Sequence, residues 1–169
     1  MVEVAGTGTG SGGDDRPGGG RVVVGVDDSP GARHALRWAL ADAARRGAVL
    51  EVVHAWSPPI AFGPLDLGPL PVHDDGEREA WARRVLEGVV AEVLTDVEGP
   101  LPPELDRVLV ADASAQALLG RSEGADVLVL GSRGRGGFAG LLLGSVTQQC
   151  IHHATCPVVV VPPPERPRR

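Results

Sequence analysis

The sequence GSRGRGGFAGLLLGSVT, residues 131–147, decides how this chain is expected to fold. It directly follows the apolar run Val127–Leu130, and its last residues begin a segment that can form a helix. Gly131 and Gly134 are followed, after nine intervening residues, by the pair Gly144 and Ser145. Glycine lets a backbone approach a ligand closely, and a helix beginning near Ser145 would direct its free N–H groups toward an anion. A strand, a glycine-rich loop and a helix N-terminus in this order predict a phosphate-binding site.

Strand and helix patterns alternate along the rest of the chain. The strand candidates are valine- and leucine-rich runs without polar alternation, which is typical of parallel strands covered on both faces. This order predicts a doubly wound α/β domain with a mainly parallel five-stranded sheet and helices on both faces. Its ligand would bind beyond the carboxyl ends of the strands, at the switch point. The strands are expected at Arg21–Val26, Val49–Ala55, Leu105–Val110, Val127–Leu130 and Val158–Val161.

Four helices are expected between these strands. Ser29 is an N-cap candidate followed by proline at the first helical position, and Gly47 ends this first helix. Asp112 can cap a short third helix, and the fourth is expected at Ser145–His153. The second helix runs roughly from residue 77 to residue 97, with apolar residues four apart at Trp81, Val85, Val89 and Val93.

Three irregular stretches border or interrupt this domain, which is expected to cover residues 21–162. Residues 1–20 are rich in glycine, serine and threonine and predict a disordered tail. Residues 57–75 are rich in proline and glycine and predict a long surface loop, while residues 163–169 predict a flexible tail.

Composition and charge exclude several classes of function. A formal charge of -6, a pI near 5.3 and an aromatic content of 3% argue against nucleic-acid binding. No apolar run approaches the length of about 18 residues that a membrane span needs. The N-terminal residues lack the basic start and the apolar segment of a secretory signal. We therefore expect a cytoplasmic protein with no nucleic-acid and no membrane partner.

Two other interpretations of the glycine loop are weaker. Gly134, Gly136 and Ala139 fit the loose G-x-G-x-x-A dinucleotide pattern. That pattern requires a helix beginning within the motif and an acid about 20 residues later. Here residues 138–143 precede the expected helix, and no acid lies near residue 156. A Walker A motif is absent, since the sequence holds no Gly-Lys-Ser/Thr.

Cysteine and histidine residues near the last helix raise the question of a metal site. Cys150 and His153 would share a helix face, but His152 would point elsewhere and Cys156 precedes a strand. A structural role is favoured for all four, and no metal ligand is predicted.

The motifs of this chain resemble those of the universal stress proteins, in particular their ATP-binding branch. The first strand and helix, VVVGVDDSPGARHALRWA, are similar to the opening block of that family. Residues 131–162 are similar to its closing block, including the Cys-Pro-Val ending. The most specific element is Gly-x2-Gly-x9-Gly-Ser, met at Gly131, Gly134, Gly144 and Ser145. The resemblance covers about residues 20–162.

The resemblance implies a Rossmann-like domain, usually dimeric, that binds ATP, with Mg²⁺ aiding. Asp27 would meet the ribose, and the backbone of Ala55 would contact adenine. The other residues implied as nucleotide-binding are Gly25 and Val26 on the adenine side, Gly131, Arg133 and Gly134 along the ribose and phosphates, and Gly144, Ser145, Val146 and Thr147 at the helix start. The last strand, made of Val158, Val159, Val160 and Val161, would be a bare sheet edge through which a symmetric homodimer forms.

Several of these residues also have a plainer interpretation. Asp27 taken alone could be a turn residue, but with the glycine loop in the same chain a ribose contact is favoured. Ser29 is interpreted as a helix cap, and His54 as a core or near-site residue. Arg133 and Arg135 could neutralise phosphate charge, or could simply face water.

The expected function is a nucleotide-dependent sensor or regulator of the stress response, with slow or no hydrolysis. Phosphoryl-transfer catalysis needs an acid that holds a metal and a residue that orients the nucleophile. Asp27 is one candidate acid, but no motif places a second one beside the loop. The alternatives are an ATP-hydrolysing enzyme and a structural dimer without nucleotide.

Overall fold

The computed structural model of the chain describes residues 20–57, 75–135 and 142–163. Nearly all of the 57–75 loop and of both expected tails lies outside the described residues, as does the central part of the glycine loop. Strands and helices alternate along the chain in the order β1 (Arg21–Gly25), α1 (Pro30–Arg46), β2 (Val49–Trp56), α2 (Asp75–Thr95), β3 (Leu105–Ala111), α3 (Ser114–Ser122), β4 (Val127–Gly131), α4 (Ser145–His153) and β5 (Val158–Val161).

The five strands form one sheet in the order β3-β2-β1-β4-β5, and every neighbouring pair is parallel. The predicted doubly wound fold is confirmed, and the sheet is entirely rather than mainly parallel. The connection from β1 leads to β2 on one side, whereas β4 lies on the other side of β1. The switch point of the sheet is therefore the gap between the carboxyl ends of β1 and β4.

Helices cover both faces of this sheet, as predicted. Alternate residues of β1 point to opposite faces, so Val22 and Val24 pack beneath α1 and α2 while Val23 packs beneath α3 and α4. On the first face the core includes Leu36 of α1, and on the second it includes Leu118 of α3. Each fully buried valine or leucine contributes roughly 1.5–3 kcal/mol to stability.

Helix α1 begins and ends as its sequence predicts. The Ser29 hydroxyl accepts a hydrogen bond from the backbone N–H of Ala32 at 3.1 Å, and Pro30 occupies the first helical position. Gly47 ends the helix with a φ of 64°, in the left-handed region that glycine adopts without strain. These caps fix where the chain leaves β1, and thus where the turn at residues 26–29 lies.

Two details of the helices differ from their sequence patterns. Trp81 belongs to the row of apolar residues four apart in α2, but it is 47% exposed, because such a row turns about 40° per step and leaves the core-facing side. The residues of α2 that are buried are Ala82, Leu86, Val89, Val90 and Val93. Asp112 was expected to cap α3, but the N-cap is Ala113, and Asp112 Oδ1 accepts the Ala113 N–H at 2.6 Å.

Four of the five predicted strands end one residue away from the observed position, and β5 has its predicted bounds. β2, β3 and β4 each extend one residue further, because parallel pairing continues between Trp56 and Ala111 and between Gly131 and Val161. β1 ends at Gly25 rather than at Val26, although the Val26 N–H still donates to the Val53 carbonyl at 2.9 Å.

A buried carboxylate joins α3 to the sheet, at the end of the sheet opposite the glycine loop. Glu51 of β2 is 3% exposed and pairs with Arg21 of β1 at 3.2 Å and with Arg121 of α3. The hydrogen bond to Glu51 raises the pKa of Arg121. This three-residue network fixes the carboxyl-terminal half of α3 against β1 and β2.

Candidate functional site

A cleft of about 400 Å³ opens at the switch point between the carboxyl ends of β1 and β4; we call it the main cleft. Its volume lies within the usual range for small-molecule sites. The structure brings every predicted site residue to its lining: Gly25, Val26, Asp27, Ala55, Gly131, Arg133, Gly134, Gly144, Ser145, Val146 and Thr147.

Asp27 connects the turn after β1 to the glycine loop after β4. Its Oδ1 accepts the Ser29 N–H at 3.0 Å, and its Oδ2 accepts the Arg135 N–H at 2.9 Å. Each carboxylate oxygen has two acceptor positions, so both oxygens can accept a further hydrogen bond from a ligand. Asp27 thus shapes the loop and still presents acceptors to the main cleft.

Two glycines of the loop, Gly131 and Gly134, are required by close contacts within the protein. A Cβ on Gly134 would lie 2.7 Å from Asp27 Oδ2, and a Cβ on Gly131 would lie 2.9 Å from the carbonyl carbon of Gly31. A Cβ on Gly31 would lie 2.8 Å from the Arg133 carbonyl oxygen. The predicted reason for Gly131 was close approach of the backbone to a ligand. The structure gives a different reason: the loop packs backbone to backbone on the first turn of α1.

The first turn of α4 faces the main cleft without a side-chain cap. Gly144 is the N-cap residue, and its own N–H donates to the Ser132 carbonyl at 2.8 Å. The Thr147 hydroxyl donates to the Gly131 carbonyl at 2.9 Å, so this side chain supports the loop. The cleft-lining residues Ser145, Val146 and Thr147 carry the first-turn N–H groups, which lie before the first backbone bond of the helix, from Gln148 to Gly144.

The other end of the main cleft is apolar. Val53, Leu118 and Leu130 line it, and a Cβ on Gly25 would lie 2.8 Å from a methyl group of each leucine. The absence of a side chain on Gly25 therefore lets the two leucines approach β1. The main cleft combines an apolar end with an end that offers backbone N–H donors.

The two arginines of the loop differ in their partners. Arg135 Nε pairs with Asp28 Oδ1 at 3.1 Å, and its guanidinium carbon lies 5.8 Å from the centre of the Trp81 ring. Arg133 is exposed, lines the main cleft and pairs with none of the residues that the structure describes. Arg133 is thus the cation available to a ligand, whereas Arg135 is held by the protein.

Comparison with known proteins identifies the family. The model of the universal stress protein family matches residues 20–162. The chain belongs to the universal stress protein family. The universal stress protein Rv2623 of Mycobacterium tuberculosis is 36% identical over 140 residues, which make up 83% of this chain and 46% of that protein. The chain spans about half the length of the curated relatives that it matches.

Solved universal stress proteins share the fold. UspA from Lactobacillus plantarum superposes with a TM-score of 0.67 at 21% identity, covering 86% of this chain and 99% of that one. The universal stress protein from Archaeoglobus fulgidus in complex with dAMP gives a TM-score of 0.59 at 23% identity, covering 83% and 95%. The predicted family and fold are confirmed.

Some residues that line the main cleft of this universal stress protein were not predicted. Leu130 is the second-last residue of β4 and lies next to Gly131, so the switch-point rule alone could have found it. Gly31 follows the Ser-Pro cap, but its contact with the loop depends on how α1 packs. No local signal marks the residues that α3 contributes, because the order of the strands brings α3 there. The lining residues not predicted are Ala32, Val53, Ser114, Leu118 and Leu130, whereas Arg135 was already a candidate phosphate contact.

The cysteines of this universal stress protein lie in or beside the core. Cys150 is fully buried, and this burial raises the pKa of its thiol to about 11. Within the described part of the chain, no three His, Cys, Asp or Glu side chains come together as a metal site. None of the described helices has the length and apolar character that crossing a membrane requires.

Proposed function

We propose that this universal stress protein domain binds ATP, accompanied by Mg²⁺, in the main cleft. The observation that carries the proposal is the uncapped first turn of α4 facing a cleft whose other end is apolar. Helix N-termini favour anions because their N–H groups lack backbone partners and the helix dipole is positive there. The phosphates would meet Ser145, Val146 and Thr147, and Arg133 would add a positive charge.

The remaining parts of ATP would occupy the opposite end of the cleft. The adenine ring would lie between Val53, Leu118 and Leu130, with the backbone of Ala55 and Val26 beside it. The ribose hydroxyls would donate to the free acceptor positions of Asp27. The dAMP complex of the Archaeoglobus fulgidus relative supports an adenine nucleotide as the ligand class.

Binding is proposed rather than efficient catalysis. Asp27 is the one carboxylate among the described residues that line the main cleft, and both of its oxygens already accept backbone hydrogen bonds. The Ser145 hydroxyl is an oxygen donor of the kind that Mg²⁺ prefers. Phosphoryl transfer needs a further group that orients the nucleophile. We therefore expect slow or no hydrolysis, as in a nucleotide-dependent regulator of the stress response located in the cytoplasm.

We also propose a homodimer through β5. Among the described strands β5 pairs only with β4, and its residues Val158, Val159 and Val160 are half-buried at the sheet edge. An unpaired edge of apolar β-branched residues is a template for pairing with another chain. A two-fold axis would let the same strand of each protomer pair with its partner.

Calorimetric titration tests the binding proposal. ATP, ADP and AMP are each titrated with and without Mg²⁺, and GTP serves as the base control. We expect saturable binding of ATP with one site per chain, weaker binding as phosphates are removed, and stronger ATP binding with Mg²⁺. No saturable heat with any adenine nucleotide would refute the proposal. ATP turnover well above the buffer rate would support the enzyme alternative instead.

A further inference from the structure

A second cavity of about 270 Å³ lies beside the main cleft, on the face of the sheet that α2 covers. It shares Asp27, His54, Ala55 and Arg135 with the main cleft, but Trp81 and Arg78 of α2 line only the second cavity. The proposed ATP site does not use these α2 residues. The second cavity therefore needs its own explanation.

His54 presents a polar atom to this cavity. Val52 packs beneath α1 and α2 whereas Val53 packs on the opposite face, so strand alternation directs His54 toward α2. Its Nδ1 lies 2.8 Å from the Val26 carbonyl oxygen, which can only accept, so Nδ1 carries the proton. In the neutral ring Nε2 is then a hydrogen-bond acceptor, and it has no partner among the described residues. His54 is 7% exposed and lines the second cavity, so its ring is shielded from open solvent there.

Arg78 offers the cavity a free positive charge. It is half-buried and forms no ion pair or hydrogen bond within the described residues. The other cation, Arg135, is already paired with Asp28. Among the described residues, no carboxylate would have to be displaced for a bound anion to pair with Arg78.

Two indole rings complete the cavity. Trp56 follows His54 on the same side of β2, and Trp81 lines the cavity from α2. Aromatic side chains bind planar rings by stacking or edge contact. The half-exposed state of Trp81 leaves ring surface available to a ligand.

We propose that the second cavity binds a small planar heteroaromatic anion that carries a ring N–H. The ring would contact the indoles of Trp56 and Trp81, the ring N–H would donate to His54 Nε2, and the anionic group would pair with Arg78. The cavity volume matches a single substituted ring system better than a whole nucleoside triphosphate. This ligand would be additional to the nucleotide of the main cleft.

Three probes separate the contributions of the proposed contacts. Orotate carries ring N–H groups and a carboxylate, uracil lacks the carboxylate, and benzoate lacks the N–H groups. Binding is followed by tryptophan fluorescence in a Trp38→Phe background, since Trp38 of α1 does not line either cavity. We expect saturable quenching by orotate. Uracil and benzoate should each bind at least about tenfold more weakly, because each lacks one hydrogen bond to a charged or buried group. Equal affinity for all three probes, or no saturable quenching by orotate, would overturn the proposal.

A matched pair of variants tests the anion contact. Arg78→Gln should weaken orotate binding about tenfold and leave uracil binding unchanged. Arg84→Gln removes another arginine of α2, one that has no partner in the described part of the chain and does not line the cavity, and it should change neither affinity. Equal losses in the two variants would mean that only the general charge of α2 matters, and would overturn the assignment. ATP titrations of Arg78→Gln are expected to match those of the wild type, so a failed orotate test leaves the ATP proposal untouched.

Discussion

The Asp27 carboxylate accepts a hydrogen bond from the Arg135 N–H at 2.9 Å, across 108 positions of sequence. This bond joins the turn after β1 to the loop after β4, the two segments that border the switch point. The same carboxylate fixes the start of α1 through the Ser29 N–H. The shape of the main cleft therefore depends on one side chain that also has acceptor positions available to a ligand.

Replacing Asp27 by alanine should weaken ATP and ADP binding by a similar factor. Both nucleotides contain the ribose, and one lost hydrogen bond to a charged group is worth about 1.5–3 kcal/mol. Calorimetric titration measures both affinities. The Asp28→Asn variant is the control, because Asp28 pairs with Arg135 and does not line the main cleft. A loss confined to ATP would assign Asp27 to the terminal phosphate or its metal, contrary to this account.

Alanine at the two loop glycines should have different consequences. Gly131→Ala forces a Cβ against the backbone of Gly31, so we expect the free energy of unfolding to fall by about 1–3 kcal/mol. Gly134→Ala meets only the end of the Asp27 side chain, so it should reduce nucleotide affinity more than stability. Gly144→Ala is the steric control, since its Cβ would have ordinary contacts of 3.6–3.8 Å. Urea denaturation measures the stability of each variant, and nucleotide titration measures its affinity. A Gly131→Ala variant as stable as Gly144→Ala would contradict the steric argument.

Removing the charge of Glu51 should destabilise the domain. Glu51→Gln leaves Arg21 and Arg121 without their buried carboxylate partner. Because both arginines reach solvent, we expect the free energy of unfolding to fall by about 1–3 kcal/mol, less than when a fully buried pair is broken. Glu79→Gln breaks an exposed pair with Arg83 and should cost at most about 0.5 kcal/mol. Urea denaturation compares the two variants, and equal losses would show that burial of Glu51 is unimportant.

The thiol of Cys150 should resist alkylation in the folded domain. Its pKa is raised to about 11 by burial, so little thiolate forms at pH 8. Because the thiol of the unfolded chain ionises at lower pH, the contribution of Cys150 to stability is complete below that ordinary pKa and falls as the pH rises toward 11. Mass spectrometry after iodoacetamide treatment should find Cys150 unmodified in native protein and modified in urea. Rapid native modification would contradict this burial.

A charge on β5 should separate the proposed homodimer. Val160 is half-buried and lies on the edge strand, so Val160→Asp should give a monomer in size-exclusion chromatography with light scattering. Leu101→Asp introduces the same charge at an exposed residue before β3, and it should remain dimeric. A wild-type chain that is monomeric at micromolar concentration would end the β5 proposal.

Local sequence patterns predicted most of this fold, for identifiable physical reasons. The apolar runs of the strands, the Ser29 cap and Gly47 are signals that act within a few residues, and the structure confirms them. The exposure of Trp81 was missed because a spacing of four residues only approximates the turn of a helix. The contact between Gly31 and Gly131, and the position of Leu118 over Gly25, depend on how separate elements pack. Such contacts have no signature in any one segment of the sequence.

The most direct test of nucleotide binding at the main cleft is an amide NMR titration of isotopically labelled protein with ATP and Mg²⁺. We predict saturable shifts of the Ser145, Val146 and Thr147 amides, which would receive the phosphates, and of Ala55 beside the adenine. The amides of Arg21 and Arg121, at the opposite end of the sheet, should not move. Saturable ATP binding that left the three α4 amides unshifted would contradict the central claim.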